Sequence, residues 1–154
     1  MPSKNKLSLS VQYPDPRLAA IASRPLLRRW VQAALLAPAE LTIRFVDSTE
    51  GRTLNRDYRG KDYATNVLTF AYNEDAAEDT VCADLVLCTD VLYDEAQAQN
   101  KTVLAHVAHL VVHGVLHAQG YDHEGDAEAD EMEALETTVL ARLGFDDPYI
   151  SVQP

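Results

Sequence analysis

The chain has 154 residues, 47% of them hydrophobic and 24% charged, with a formal net charge of −11. That length and mix describe one domain, 1–154, able to bury a core without disulfides or a partner chain. No stretch reaches the ~18 consecutive apolar residues that a membrane span needs, and the acid excess argues against a general nucleic-acid binder held by phosphate neutralisation.

The polar, proline-broken start MPSKNKLSLSVQYPDPR has no apolar signal core, so the expected compartment is the cytoplasm. LSLSVQY (7–13) alternates as a one-sided strand. Ser23 and Pro25 open a helix carried by RPLLRRWVQAALLA, which Pro38 closes. ELTIRFVD (40–47) alternates again, with Leu41, Ile43 and Phe45 on one face, and Ser48 is placed to cap a short helix reaching about Arg56. A turn at Gly60 leads to a third strand, NVLTFAY, then an acidic loop at 73–80 and a fourth strand, VCADLVLC. Helices follow over 90–99, over 101–118, where Gly120 ends the run, and over 126–143, stopped by Gly144. The final FDDPYISVQP is expected to be loosely held. Strands alternate with helices early and helices dominate late, which predicts an α+β fold with a mixed four-stranded sheet flanked by about five helices.

Charge is distributed unevenly. Residues 1–62 hold eleven Lys/Arg against six Asp/Glu (net +5), and residues 63–154 hold two against eighteen (net −16). Charge alone is most simply a solvated surface, with a local basic patch in the first half still open. The cysteines, Cys82 and Cys88, share one strand face but lie ~20 Å apart along it, too far for a disulfide. Both are expected as small buried apolar residues in a reducing compartment.

The informative segment is HGVLHAQGYDH, 113–123, which holds three of the five histidines. His113 and His117 are four apart on a helix, so their imidazoles share a face and can converge on one ion. A third ligand on the same helix would be badly aimed. Gly120 instead allows the chain to reverse, so that His123 can return and complete three nitrogens, with water as fourth ligand. This is the pattern of a catalytic zinc site, placed at a helix end and the following turn. It resembles the tri-histidine site of one class of metalloproteases, but Gly114 stands where those enzymes carry the glutamate that accepts a proton. Without that base, phosphodiester cleavage is the better match, because it asks chiefly for a cation to hold charge developing on phosphate. His106 and His109 extend the helical stripe and suit packing or support of the ligands.

The same segment looks like the signature of the YbeY family of bacterial single-strand-specific metallo-endoribonucleases. YRGKDYATNVLTF resembles the family's YRGKDxPTNVLSF, departing at Ala64 and Thr69. ADLVLC is similar to GDIVIC, with Ala83 where glycine is usual, and DEMEALE (130–136) matches the acidic helix that follows. The likeness spans about residues 41–143. It implies zinc, one ion per chain, on His113, His117 and His123, and a catalytic Arg59 clamping the scissile phosphate as a bidentate donor. Arg56 and Lys61 would widen that patch. Asp122 would orient a ligand imidazole or accept a proton, with a turn-capping role equally open, and the acidic helix is expected to be a solvated face. The family's activity implies single-stranded RNA as substrate, especially the 16S rRNA precursor in 3′-end maturation and late ribosome quality control, with a ribosomal protein or assembly GTPase as further partner. Two other readings stand beside it: a zinc hydrolase or protease lacking the usual glutamate, and a zinc-stabilised ribosome-assembly factor that binds through its acidic half.

Overall fold

The segments marked out by alternation and helical spacing form four strands and five α-helices in the computed structural model, which describes residues 5–72, 80–121 and 125–149. In chain order these are β1 (Leu7–Gln12), a 3-10 turn (Pro16–Leu18), α1 (Arg24–Ala34), β2 (Ala39–Val46), α2 (Ser48–Arg59), β3 (Val67–Ala71), β4 (Val81–Cys88), α3 (Thr89–Ala98), α4 (Val103–Ala118) and α5 (Asp126–Arg142). The sheet order is β1-β2-β4-β3. The pairs β1–β2 and β2–β4 are parallel, whereas β3 runs antiparallel to β4 and forms one edge. The expected α+β architecture with a mixed sheet is what forms. Among the described residues no helix is long and apolar enough to cross a membrane.

Alternation divides the sheet into two faces. Leu41, Ile43 and Phe45 of β2 lie in register with Ala83, Leu85 and Leu87 of β4. They join one large core with Leu27, Trp30 and Val31 of α1 and Val107, Val111 and Val115 of α4. Each fully buried side chain of this size contributes ~1.5–3 kcal/mol of transfer free energy. On the opposite face Val46, Leu68, Val86 and Cys88 form a smaller cluster, covered by Leu54 of α2 and Val91 of α3. That cover stops short of the strand starts, where Glu40, Thr42 and Asp84 line a shallow groove. Cys82 sits there half-exposed, with its Sγ 3.9 Å from Glu40 Oε2, so only Cys88 is the buried cysteine that was expected.

Helix α4 buries ten of its sixteen residues, which makes it the interior helix of the domain. Its seat on the sheet is Gly114. A Cβ there would lie 2.6 Å from Leu85 Cδ2, closer than any relaxed contact. The backbone of α4 therefore rests directly on β4.

Helix α2 differs from expectation at both ends. Asp47, not Ser48, is the N-cap, with its carboxylate accepting from the Glu50 N–H at 2.9 Å. The helix then continues past Arg56 to Arg59, where Gly60 at φ +71° takes the left-handed conformation that closes it. The extra turn carries Tyr58 and Arg59.

Two further expectations are corrected. The tail is held as far as it is described: Phe145 packs edge-on against Trp30 at 6.1 Å, and Lys101 Nζ donates to the Pro148 carbonyl at 2.6 Å. Nor is α5 simply a solvated face, because Glu136 is buried along with Met132, Val139 and Leu140. Residues 150–154 and all of the acidic loop except Thr80 lie outside the described residues.

Candidate metal centre and catalytic groove

The groove of interest has a volume of about 630 Å³ and runs along the edge strand β3. Its walls come from three elements. Helix α4 supplies His113 and His117, the last turn of α2 supplies Tyr58 and Arg59, and the floor is Thr65, Asn66 and β3 residues through Phe70. Arg59 and two of the three predicted ligand histidines, from segments more than fifty residues apart in sequence, thus meet in one cavity. Asp122 and His123 lie outside the described residues. Arg56 and Lys61 are not among the groove's lining residues. Arg56 instead contacts the neighbouring Asp57 at 3.4 Å, and the turn below is tied by Arg52 donating to both Asp62 oxygens at 2.8 and 2.9 Å.

The His113 and His117 rings are nearly parallel, 12° apart in plane and 6.5 Å between centroids. His117 Nδ1 is 2.9 Å from the Tyr121 carbonyl, reached because the chain reverses after α4, and Gly120 there has φ +102°. A carbonyl only accepts, so this ring carries its proton on Nδ1. His113 Nδ1 lies 3.2 Å from Glu136 Oε2, which fixes the same tautomer. In that tautomer the coordinating lone pair is on Nε2. Helical spacing, matched tautomers and outer acceptors are the features by which imidazoles serve as metal ligands. The pair therefore fits as two donors of a divalent-metal site. Among the described residues, which leave out 122–124, no group of three or more potential ligands is assembled.

Glu136 was not singled out from the sequence. Its carboxylate is 1% exposed. Oε1 lies 2.6 Å from His109 Nε2 and accepts from the Tyr149 hydroxyl at 2.7 Å, and Oε2 takes His113. Burial acts to raise its pKa, but the hydrogen bonds from His109, His113 and Tyr149 outweigh burial and hold it at about 2. Burial and then Glu136 itself push the Tyr149 phenol well up. His109 is thereby linked to His113 through one carboxylate, and the tail contributes a donor through Tyr149. The signal was present: Glu136 falls at helical spacing with Met132, Val139 and Leu140, an acid on an apolar stripe.

A second carboxylate plays a similar part on the floor. Glu95 of α3 accepts from Asn66 Nδ2 at 3.1 and 3.2 Å and lies 2.9 Å from His106 Nε2. Asn66 Oδ1 in turn accepts from the Val67 N–H at 2.7 Å. Burial lowers the His106 pKa, with Glu95 acting against it. His106 is thus a buried prop beneath the groove-lining Asn66.

Residues 10–144 match the protein family described as Endoribonuclease YbeY. A protein of that name from Janthinobacterium sp. (strain Marseille) is 69% identical over 152 residues, covering 99% of this chain and 100% of the relative. Its namesake from Herminiimonas arsenicoxydans is 68% identical, with coverage of 96% and 97%. Among solved structures, the solution structure of TM1509 from Thermotoga maritima aligns over 92% of this chain and 99% of that one, with a TM-score of 0.52 and 21% identity, a likeness of fold. By family match and by the breadth of these relatives, the chain belongs to the YbeY family.

Proposed function

We propose that this chain is a metal-dependent endoribonuclease acting on single-stranded RNA, with zinc held by His113, His117 and His123. Its substrate in the cell would be the 16S rRNA precursor, cut in the cytoplasm during 3′-end maturation and late ribosome quality control. The supporting observation is the single groove lined by Arg59, His113 and His117. The names of the relatives support the reaction class. When bound, zinc supplies a Lewis acid and lowers the pKa of a coordinated water toward ~7.

The remaining work belongs to the chain's own groups. Arg59, at the end of α2, suits two parallel hydrogen bonds to the non-bridging oxygens of the scissile phosphate. Glu136 and the Tyr121 carbonyl orient the two described ligand rings. Asp122, beside His123, is assigned to orient that imidazole or to accept a proton. The acidic second half suits a basic ribosomal protein as partner.

The protease reading loses ground on geometry. Position 114, where a protease carries its glutamate, is packed against Leu85. Any side chain placed there would bring its Cβ to 2.6 Å from Leu85 Cδ2.

The test is cleavage of an end-labelled single-stranded RNA by zinc-loaded protein, beside His117→Ala and Arg59→Ala purified identically. Cleavage is expected from the wild type, with a loss of at least ~100-fold in either variant at unchanged thermal stability. Equal cleavage by all three preparations would point to a contaminant and sink the assignment. If the wild type is inactive yet still captures ribosomal protein, the assembly-factor reading takes its place.

A further inference from the structure

Tyr58 precedes Arg59 in the last turn of α2, lines the same groove, and is 69% exposed. Four tyrosines among the described residues are exposed, and Tyr58 is the most exposed of them and the one that lines this groove. This one is also held in place. Its ring meets Phe70 of β3 edge-to-face, at 5.2 Å between centroids and 69° between planes. Such a contact favours one ring direction while most of the residue stays open to solvent. The result is a braced, largely solvent-open aromatic ring directly beside the arginine assigned to phosphate.

We infer that Tyr58, braced by Phe70, is a base-stacking subsite that holds one nucleobase of the bound strand next to the phosphate at Arg59. The inference rests on the endoribonuclease reading and deepens it. A nucleobase is the ligand that fits, because a strand whose phosphate lies at Arg59 carries its bases one sugar away, within reach of the adjacent residue. Stacking is tolerant of base identity, since every base has a π-face. It also demands a base freed from its neighbours. A duplex, whose bases are already stacked and paired, cannot offer one without first unstacking it. Tyr58 thus gives the groove a physical preference for single strands.

The alternative is that Tyr58 only packs the end of α2 against Phe70. Two variants separate these roles: Tyr58→Phe keeps the ring, and Tyr58→Leu keeps apolar packing without a π-face. The probes are single-stranded oligonucleotides that carry 2-aminopurine, or an abasic site, at successive positions around the cleavage point. The wild type and Tyr58→Phe are expected to quench 2-aminopurine at one position and to bind poorly when that position is abasic. Tyr58→Leu should lose the quenching, raise KM roughly 5- to 100-fold with a smaller change in kcat, and no longer discriminate the abasic strand. Unchanged quenching and KM in Tyr58→Leu, with wild-type cleavage intact, would overturn the subsite alone. A wild type that neither binds nor cuts RNA would overturn the subsite together with the reading it rests on.

Discussion

A buried carboxylate with three donors gathered round it makes the sharpest claim at the level of single residues. Glu136 binds His113, here proposed as a zinc ligand, together with His109 and the tail's Tyr149 through two oxygens. Removing an outer partner of a metal-bound imidazole typically weakens metal affinity 10- to 100-fold. Glu136→Gln, close in volume but neutral and carrying its own N–H donors, should therefore bind zinc about 10-fold or more weakly in chelator competition while remaining folded. Tyr149→Phe, which deletes one hydroxyl, should lower stability by about 1 kcal/mol and affect zinc less. Equal zinc affinity in wild type and Glu136→Gln would reduce the carboxylate to a packing role. That His113 and His117 share a helix face was legible because four-residue spacing on a helix is a local property. Glu136 was harder, since one acid in an acidic stretch announces itself only through its apolar neighbours, and its partner His113 lies twenty-three residues away. Tyr149 left no pattern at all, because its place is set by how the tail folds back.

The helix that carries His113 and His117 is positioned by one residue without a side chain. Adding a methyl group at Gly114 meets Leu85 Cδ2 at 2.6 Å, so α4 would have to lift or Leu85 to turn. Overpacking of this kind costs about 1–3 kcal/mol. The gain in helix propensity from replacing glycine returns up to about 1 kcal/mol. Gly114→Ala is thus expected to be net destabilising in urea unfolding, and Leu85→Ala in the same chain should recover part of the loss, as coupled neighbours do. Additive losses in the double variant would mean that the contact does not set the helix position. The glycine read as a missing base is better understood as a packing requirement, a distinction open only once the facing strand is known. Element ends show the same limit. Asp47 and Ser48 are both good caps, and only the reach of the Asp47 carboxylate to the Glu50 N–H decides between them. At the other end, the left-handed turn at Gly60 decides that Arg59 ends a helix and does not begin a loop.

Across the whole molecule, alternation predicted how many strands there are and which sides they bury, whereas their order depends on crossovers that no local pattern encodes. The third strand pairs antiparallel with the fourth and so forms the edge beside the histidines. One polar junction ties these crossovers together. Asp15, buried after β1, accepts from the Arg17 backbone N–H and guanidinium, and the same guanidinium reaches Asp90 at the start of α3 at 2.6 Å. The other Asp90 oxygen accepts from the Ser48 N–H at the start of α2 at 2.8 Å. Hydrogen bonding from Arg17 holds both carboxyls below the usual range, with burial opposing it in each case and Ser48 assisting at Asp90. A carboxyl whose folded pKa is depressed stabilises the fold fully above its unfolded value of ~3.9 and loses that contribution as pH falls through the folded pKa. The domain should therefore lose stability steeply below about pH 4. Asp15→Asn keeps the turn-capping oxygen but removes the charge, so it should be less stable at pH 7 by about 1 kcal/mol, a figure kept small because Arg17 is half-exposed. It should also show a shallower fall between pH 5 and pH 3, since one of the linked protons is gone. Urea midpoints measured across that interval decide the matter. Parallel curves for the two proteins would show that acid sensitivity arises elsewhere and that the junction is held by its geometry, not by its charge.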